Sequence, residues 1–307
     1  SRLTALPGVG AKTASVITQS VAGEVPDTLA ALEAAAVSPL VDLDGAGRRL
    51  LEALQGDCHT HSDASDGGSS PATMAAAGRD EVGHAWVVLT DHSPRLTVAR
   101  GLSPERLRAQ LVLVAEINER LAPFRLLTGI EVDINPDGSL DQEPELLAHL
   151  DVVVGSVHSE LRMPEPAMTQ RMLAAIRNPH LDVLGHCTGR LVAGPRSPRP
   201  ESRFDAGRVF AACADEGVAV EVNSRPERLD PPRRLLRQAI AAGCLLAIDT
   251  DAHAPGQLDW QPYGVARAVE CGAEPDSVVT TWTVERLLAW TAHRQGRVQP
   301  VDATPGW

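Results

Sequence analysis

Aromatic residues and lysine are scarce in this sequence. Aromatic side chains make up only 3% of its 307 residues, although 43% of the residues are hydrophobic. A core of normal size therefore has to be filled by alanine, leucine and valine. Lys12 is the lone lysine, so arginine supplies every other permanently charged basic side chain.

Long apolar runs and paired cysteines are also missing. Without a run of about 18 apolar residues, the sequence offers no membrane-spanning helix, and its first residues do not resemble a secretory signal. The five cysteines are widely spaced, odd in number and never in a C-x-x-C pair. A disulfide scaffold and a structural zinc site are thereby excluded. We expect a protein of the reducing cytoplasm.

The sequence has too little positive charge for bulk binding to nucleic acid. Its formal net charge is −12. That value argues against a protein that coats nucleic acid non-specifically. It leaves open a local nucleic-acid site, or a site where bound metal ions supply the positive charge.

A glycine-rich turn near the N-terminus precedes a predicted helix over residues 11–20. The main-chain amides near Gly8 and Gly10, with the positive end of this helix, are suited to bind an anion. Lys12 adds a charge there. The pattern resembles the hairpin of a helix-hairpin-helix motif, which implies that Gly8, Gly10 and Lys12 contact a DNA phosphate. An ordinary helical packing unit is the alternative.

The pattern divides the chain into three segments. Residues 1–55 are predicted to be all-helical, with the hairpin motif and a linker. Residues 56–293 are predicted to form an α/β domain, and residues 294–307 a polar tail. Because the sequence starts at Ser1, a few residues before the hairpin, we interpret it as a piece in which the preceding helix is cut short.

From residue 56 onward, short runs of valine, isoleucine and leucine alternate with amphipathic stretches. Such alternation is typical of a parallel sheet covered by helices. About seven units over about 230 residues fit a closed α/β barrel better than an open sheet. The predicted strands are 56–61, 86–90, 124–134, 151–157, 181–185, 218–222 and 245–250.

Six of the ten histidines lie at the carboxyl end of a predicted strand or just past it. His59 and His61 are two residues apart, so along a strand they share one face and can bind the same metal ion. In an α/β barrel the carboxyl ends of the strands form one rim, where active sites lie. The candidate metal ligands at this rim are His59, His61, Asp66, His92, Glu131, His158, His186, Asp251 and His253.

This set of ligands is too large for one metal ion. A single zinc takes three or four ligands, so nine ligands suit a cluster of two or three divalent ions. Clustered ions activate water and stabilise phosphoryl transfer. The residues alone therefore predict metal-assisted phosphoester hydrolysis. Asp63 competes with Asp66, and we favour Asp66 because Gly67 allows the turn that aims it inward.

The motifs around these ligands are GDCHTHS at 56–62, SDG at 65–67, LTDHS at 89–93, GIEVDI at 129–134, GSVHS at 155–159, LGHCTGRL at 184–191, EVN at 221–223 and TDAH at 250–253. Together, in this order, they resemble a PHP (polymerase and histidinol phosphatase) domain. The pattern is similar in particular to the PHP domain attached to bacterial family X DNA polymerases and to its stand-alone relatives.

The resemblance implies a distorted (β/α)₇ barrel with three divalent ions, Mn, Zn or Fe. A hydroxide that bridges two ions would be the nucleophile. The residues implied to be catalytic are His59, His61, Glu131 and Asp251. The implied ligands are His59, His61, Glu131 and Asp251 for one ion, Glu131, His158 and His186 for the second, and Asp66, His92 and His253 for the third.

Three polar residues after the fifth and sixth strands are predicted to bind the substrate. They are Arg190, Asn223 and Arg228. Arginine suits the geometry of a phosphate group. For Arg228, a solvated surface charge is the alternative. Asp133 shares a strand face with Glu131, and we predict that it supports a ligand.

Two enzymatic functions and one non-enzymatic function fit these features. The first is hydrolysis at DNA 3′ ends, as a 3′-5′ exonuclease or as a 3′-end phosphodiesterase or phosphatase. The second is a small-molecule phosphatase that acts on a phosphomonoester such as histidinol phosphate. A non-catalytic DNA-binding module is the third, and the complete ligand set argues against it. No stretch resembles a polymerase palm, so nucleotide addition is not predicted.

Overall fold

A computed structural model of the protein describes residues 2–6, 9–29, 40–194 and 197–294. The chain divides into two compact units, Ser1–Asp42 and Leu43–Trp307. The division therefore lies earlier than the predicted boundary at residue 55. The reason is the helix Gly45–Ala53, which packs against the helix Gln261–Glu270 of the barrel. The predicted tail, apart from Arg294, lies outside the described residues.

The first unit contains a short 3-10 helix, Arg2–Ala5, and the helix α1, Ala11–Val21. The helix predicted over residues 11–20 is thus confirmed. Gly10 precedes α1 in an extended conformation, and Lys12 is exposed. Gly8, the other glycine of the predicted hairpin, lies outside the described residues, so the helix-hairpin-helix motif stays a prediction.

The second unit is built on seven parallel strands that pair in chain order. All seven predicted strands are confirmed, and with them the predicted barrel. The shortest strand, β5, has two residues, and the others have four to nine. The strands are β1 (Gly56–Thr60), β2 (Trp86–Leu89), β3 (Arg125–Asp133), β4 (Val152–Ser156), β5 (Val183–Leu184), β6 (Ala219–Asn223) and β7 (Leu246–Asp249).

Helices follow most strands of this unit, and local sequence signals set their ends. For example, Ser103 caps the helix that begins with Pro104, by accepting a hydrogen bond from the amide of Arg106 at 3.4 Å. No helix in the described ranges is long and apolar enough to cross a membrane. The helices are α2 (Gly45–Ala53), α3 (Pro71–Ala77), α4 (Pro104–Leu121), α5 (Pro144–Leu147), α6 (Glu165–Ile176), α7 (Ala206–Glu216), α8 (Arg233–Ala241), α9 (Gln261–Glu270) and α10 (Val284–Arg294).

The lower part of the barrel interior is apolar. Alternate strand residues such as Val152 and Val154 belong to one buried cluster, in keeping with the two-residue period of a strand. Trp282 and Leu287 pack into the same cluster, and the indole of Trp86 donates a hydrogen bond to the carbonyl of Trp282 at 3.0 Å. The small aliphatic residues expected from the composition fill most of this core. All five cysteines are free thiols, as expected.

Carboxylates help to join β1 to β7, where the sheet returns to its start. The amide of His61 donates to the carbonyl of Ala252 at 2.8 Å. Below this bond, the side chain of Asp57 accepts a hydrogen bond from the amide of Thr250 at 3.1 Å. The side chain of Asp249 accepts one from the amide of Cys58 on β1 at 2.8 Å. Burial raises the pKa of Asp57 to about 7. Side chains thus satisfy main-chain groups at this seam.

Candidate metal centre

The ends of the strands bring all nine predicted ligands together at one rim of the barrel. They form four overlapping groups, and within each group one ligand atom per residue lies within 4.8 Å of the others. Residues that are far apart in the sequence thereby share one site. The groups are His61, Asp66, His92 and His253; His59, Glu131 and His186; His59, His61 and Asp251; and His92, Glu131 and His158.

Glu131 lies at the centre of the rim, surrounded by imidazole rings. Its side chain is 1% exposed, and five histidine nitrogens lie 2.8 to 3.7 Å from its oxygens. Burial alone would raise the pKa of Glu131, but the charge of the surrounding imidazoles, that of His59 foremost, holds it well below the usual range. The five residues are His59, His61, His92, His158 and His186.

Several buried polar atoms of this cluster have no hydrogen-bond partner among the described residues. They include both oxygens of Glu131 and both ring nitrogens of His61 and His186. Buried polar atoms are normally hydrogen-bonded, and leaving one unpaired costs about 1–3 kcal/mol. Imidazole nitrogens and carboxylate oxygens are ligands of Zn, Mn and Fe. The donor set therefore fits divalent metal ions.

A tight loop after β1 places Asp66 beside the ligand cluster. One oxygen of Asp66 lies 3.4 Å from Nε2 of His253 and 3.5 Å from Nε2 of His92. The amide of Gly67 donates to the carbonyl of Ser62 at 2.8 Å. A Cβ atom at Gly67 would lie 2.7 Å from that carbonyl group, so only glycine fits.

Two further carboxylates orient imidazole rings from behind. Nδ1 of His59 donates to Glu221 at 2.6 Å, and Nδ1 of His158 donates to Asp133 at 2.5 Å. Burial lowers the pKa of His158, but the charge of Glu131 and the bond to Asp133 outweigh burial and raise it to about 9. Such carboxylate–imidazole pairs fix the tautomer and leave Nε2 to face the site.

The chain is similar to a bacterial polymerase that carries an exonuclease. Over 240 residues, which are 78% of this chain, it is 35% identical to the DNA polymerase/3'-5' exonuclease PolX of Bacillus subtilis. The chain carries a PHP domain. It spans 41% of the length of that polymerase.

Other proteins similar to this PHP domain are named as phosphatases or probable phosphatases. Over 207 residues it is 26% identical to a protein of Thermoanaerobacter sp. (strain X514) named "Probable phosphatase", covering 64% of this chain and 78% of that protein. The histidinol phosphate phosphatase of Lactococcus lactis, solved with zinc, L-histidinol and phosphate, shares the fold. Its TM-score is 0.50 at 18% identity, over 72% of this chain and 94% of that one. No protein-family model matches the chain.

The ligand set fits a PHP-type metal-dependent phosphoesterase, and the relatives include proteins named as an exonuclease and as probable phosphatases. The confirmed barrel explains the ligand set. Parallel strands direct the residues at their carboxyl ends to a single rim, where the nine predicted ligands meet. The substrate is a separate question, which the surroundings of the rim address.

Asp251, a predicted ligand, adopts a strained backbone conformation and is held by two of the predicted substrate-binding residues. Its φ angle is 54°, a left-handed value that non-glycine residues adopt mainly at functional sites. Asp251 accepts a hydrogen bond from Nε of Arg228 at 2.9 Å and from the side-chain amide of Asn223 at 3.3 Å. Asn223 and Arg228, two of the three residues predicted to bind the substrate, therefore lie at the rim of the PHP domain.

Arg190 is directed away from the rim. Its guanidinium donates to the carbonyl of Arg228 at 3.1 Å and to the carbonyl of Leu229. It also lies 3.6 Å from Glu201. In this structure Arg190 therefore holds a loop together, and among the described residues it is not part of the wall of the cavity at the rim.

Arg171 supports the site but was not predicted to do so. It is 1% exposed on α6. Its guanidinium donates to the carbonyl of Ile134 at 3.0 Å and to that of Ser159 at 2.9 Å, and thus ties the end of β3 to the loop after β4. The available signal was an arginine on the apolar face of a helix, between Met168 and Met172.

A cavity of about 550 Å³ opens above the ligands. Its size is in the range of small-ligand sites. Asp66, Asp251 and three of the predicted ligand histidines line it, together with Arg225 and Arg228. Arg225 also lies 3.1 Å from Nδ1 of His253. The cavity of the PHP domain thus combines predicted metal ligands with arginine.

Proposed function

We propose that this PHP domain hydrolyses phosphoesters at DNA 3′ ends, as a 3′-5′ exonuclease or as a 3′-end phosphodiesterase or phosphatase. The observation that carries the proposal is the 35% identity with the DNA polymerase/3'-5' exonuclease of Bacillus subtilis over 78% of this chain. All nine ligand positions are filled by usable metal ligands, which supports an active enzyme.

Three divalent ions, Mn, Zn or Fe, are proposed for the rim. When bound, they would draw charge from the phosphoryl oxygens and lower the pKa of water. Their proposed ligands are His59, His61, Glu131 and Asp251 for the first, Glu131, His158 and His186 for the second, and Asp66, His92 and His253 for the third.

The chain's own residues would orient the ligands and bind the phosphate. Glu221 and Asp133 each accept the Nδ1 proton of a ligand histidine, so Nε2 of that ring keeps its lone pair for the site. Arg228 holds Asp251 through Nε, while its Nη1 has no hydrogen-bond partner among the described residues. That N–H group is proposed to bind a phosphate oxygen.

An oligonucleotide digestion tests the proposal. We expect the Mn²⁺-loaded protein to release nucleotide or phosphate from a 3′-labelled DNA strand. Asp66→Asn should slow release strongly, because Asp66 faces two ligand histidines. The matched control is Asp63→Asn, since Asp63 is an exposed aspartate in the same loop. A metal-loaded wild type that releases nothing would contradict the proposal.

A small-molecule phosphatase is the second candidate. It is favoured by the similarity to the Thermoanaerobacter protein, of which the chain covers 78%. The two candidates differ in the substrate that reaches the same metal centre. Comparison of kcat/KM for histidinol phosphate, nucleoside 3′-phosphates and oligonucleotides distinguishes them. A preference for histidinol phosphate would favour the second candidate.

A further inference from the structure

The lining of the cavity at the rim combines two kinds of side chain. One kind is charged or able to bind metal, and includes several of the predicted metal ligands and three arginines, Arg199, Arg225 and Arg228. The other kind is apolar and includes Leu96, Val98, Leu161 and Leu191. A substrate that fills this cavity must therefore contact both charged and apolar side chains.

Main-chain hydrogen bonds hold the apolar lining in place. Leu96 and Val98 belong to the turn after β2, in which the amide of Ala99 donates to the carbonyl of Leu96 at 3.0 Å. Ala99 itself is 3% exposed and anchors the turn. Leu191, after β5, exchanges two hydrogen bonds of 3.0 Å with Arg199. The lining is thus a preformed surface.

One side chain of this lining is unusually exposed for its type. Val98 is 89% exposed, although it lines the cavity. Leaving a valine in water forgoes about 1.5 kcal/mol of burial. A ligand in the cavity that covers Val98 would recover that energy. Exposed apolar groups that rim a polar site are typical of ligand-binding surfaces.

The charges of the cavity lining are balanced. Arg228 pairs with Asp251, and Arg225 pairs with Glu227 at 3.2 Å, so the apolar side chains stand beside paired charges. A neutral ring next to a phosphate matches both kinds of lining side chain, and a nucleobase is such a ring. A free sugar phosphate lacks the apolar face.

We propose that Leu96, Val98, Leu161 and Leu191 bind the base of the 3′-terminal nucleotide whose phosphoester is cleaved. This inference rests on the proposed function and names its substrate class more closely. The four side chains would act on specificity. They would touch the base, while the reaction would take place at the predicted metal ligands.

A mutant cycle tests this contact. The substrates are two single strands, one with a normal 3′-terminal nucleotide and one with a tetrahydrofuran abasic residue there. We expect the Mn²⁺-loaded wild type to cleave the normal end about tenfold better in kcat/KM. Val98→Ser should lose about fivefold on the normal end and almost nothing on the abasic end. The control is Val112→Ser, because Val112 is 62% exposed on α4, outside the cavity lining.

The outcomes separate the inference from the function on which it rests. Equal cleavage of both ends by the wild type, or an equal loss on both ends in Val98→Ser, overturns the inference and leaves the function standing. No cleavage of either strand overturns the proposed function. Binding of deoxyadenosine monophosphate and deoxyribose phosphate to the Mn²⁺-loaded protein then decides the inference, which requires tighter binding of the nucleotide and its loss in Val98→Ser.

Discussion

The base and the rim of the barrel are built from the same strands but bury opposite chemistry. At the base, Trp86 and Val152 are 0% exposed within an apolar cluster that Leu287 completes. At the rim, His59 and Glu131 are buried to the same degree, at 0% and 1%. Burial is thus equal at the two ends, while the polarity of what is buried is reversed.

The difference shows where each end obtains its stability. Apolar packing stabilises the base directly, by about 25 cal/mol for each Å² of apolar surface removed from water. Burial at the rim costs free energy, because ring nitrogens and carboxylate oxygens there lack hydrogen-bond partners among the described residues. We expect changes at the rim to act on metal binding and catalysis, and changes at the base to act on folding.

The largest expected effect is the loss of catalysis on Glu131→Gln. The amide cannot supply a charged carboxylate to the five imidazoles, so metal ions are lost. Several kcal/mol of transition-state stabilisation correspond to a loss of roughly a thousandfold in kcat. Metal analysis and a hydrolysis assay measure both effects.

The control for this variant is Glu119→Gln, because Glu119 is exposed on α4. It should keep both the metal content and the rate of the wild type. If Glu131→Gln binds the full complement of metal ions, the central position of this carboxylate has no functional meaning.

At the base, Leu287→Ala should lower the free energy of unfolding and leave the metal content unchanged. Leu287 is 0% exposed in the apolar cluster, and a leucine-to-alanine change in a core costs about 2–5 kcal/mol. Chemical denaturation of the metal-free protein measures this loss in the free energy of unfolding. Leu113→Ala is the control, since Leu113 is 37% exposed. A loss of metal from Leu287→Ala would contradict the assignment of folding to the base and metal binding to the rim.

The base also predicts a dependence of stability on pH. His84 precedes β2, and burial lowers its pKa from 6.5 to about 4. Between these values the unfolded chain takes up the proton and the folded protein does not. Stability is therefore complete above pH 6.5 and falls as the pH drops toward 4, by about 3 kcal/mol at most.

Denaturation of the metal-free protein across this pH range tests the role of His84. His84→Gln should remove that part of the pH dependence, which is read as the difference from wild type because other histidines also titrate. If the free energy of unfolding has the same slope against pH in the two proteins, His84 gains its proton in the folded state as easily as in the unfolded chain.

The smallest effect is expected for Glu221→Gln, one step behind the ligands. Its carboxylate accepts the Nδ1 proton of His59 at 2.6 Å. Loss of such a partner typically costs about 10- to 100-fold in metal affinity or activity, less than loss of Glu131 itself. Glu216→Gln, on an exposed glutamate, is the control. Metal titration of both variants measures the affinity. An unchanged affinity in Glu221→Gln would contradict this role.

Strand positions and the residues at the rim followed from the sequence because both depend on local pattern. Apolar runs with a two-residue period define strands, and parallel strands bring the residues after them to one rim. His59 and Asp251 could therefore be placed together although most of the barrel separates them in the chain. The choice of Asp66 over Asp63 agrees with the geometry for a similar reason, because Gly67 permits the required turn.

The directions of long side chains followed only from the tertiary structure. By sequence Arg190 and Arg228 were both predicted phosphate ligands, with a surface charge as the alternative for Arg228 alone, yet Arg228 lines the cavity and Arg190 donates to the carbonyls of a neighbouring loop. Arg171 looks like an outlier on an apolar helix until two carbonyls from different loops meet it. An arginine can reach in many directions, so its partners depend on how distant loops pack.

The chemistry of the site was thus determined by the order of histidines and carboxylates along the chain. The tertiary structure decided how that chemistry is framed: which arginines line the cavity, where the first unit ends, and that apolar side chains such as Val98 line the same cavity as the predicted ligands. The physical reason is the range of the interactions. Strand register and ligand type act over a few residues, whereas the walls of a cavity form only when separate loops come together.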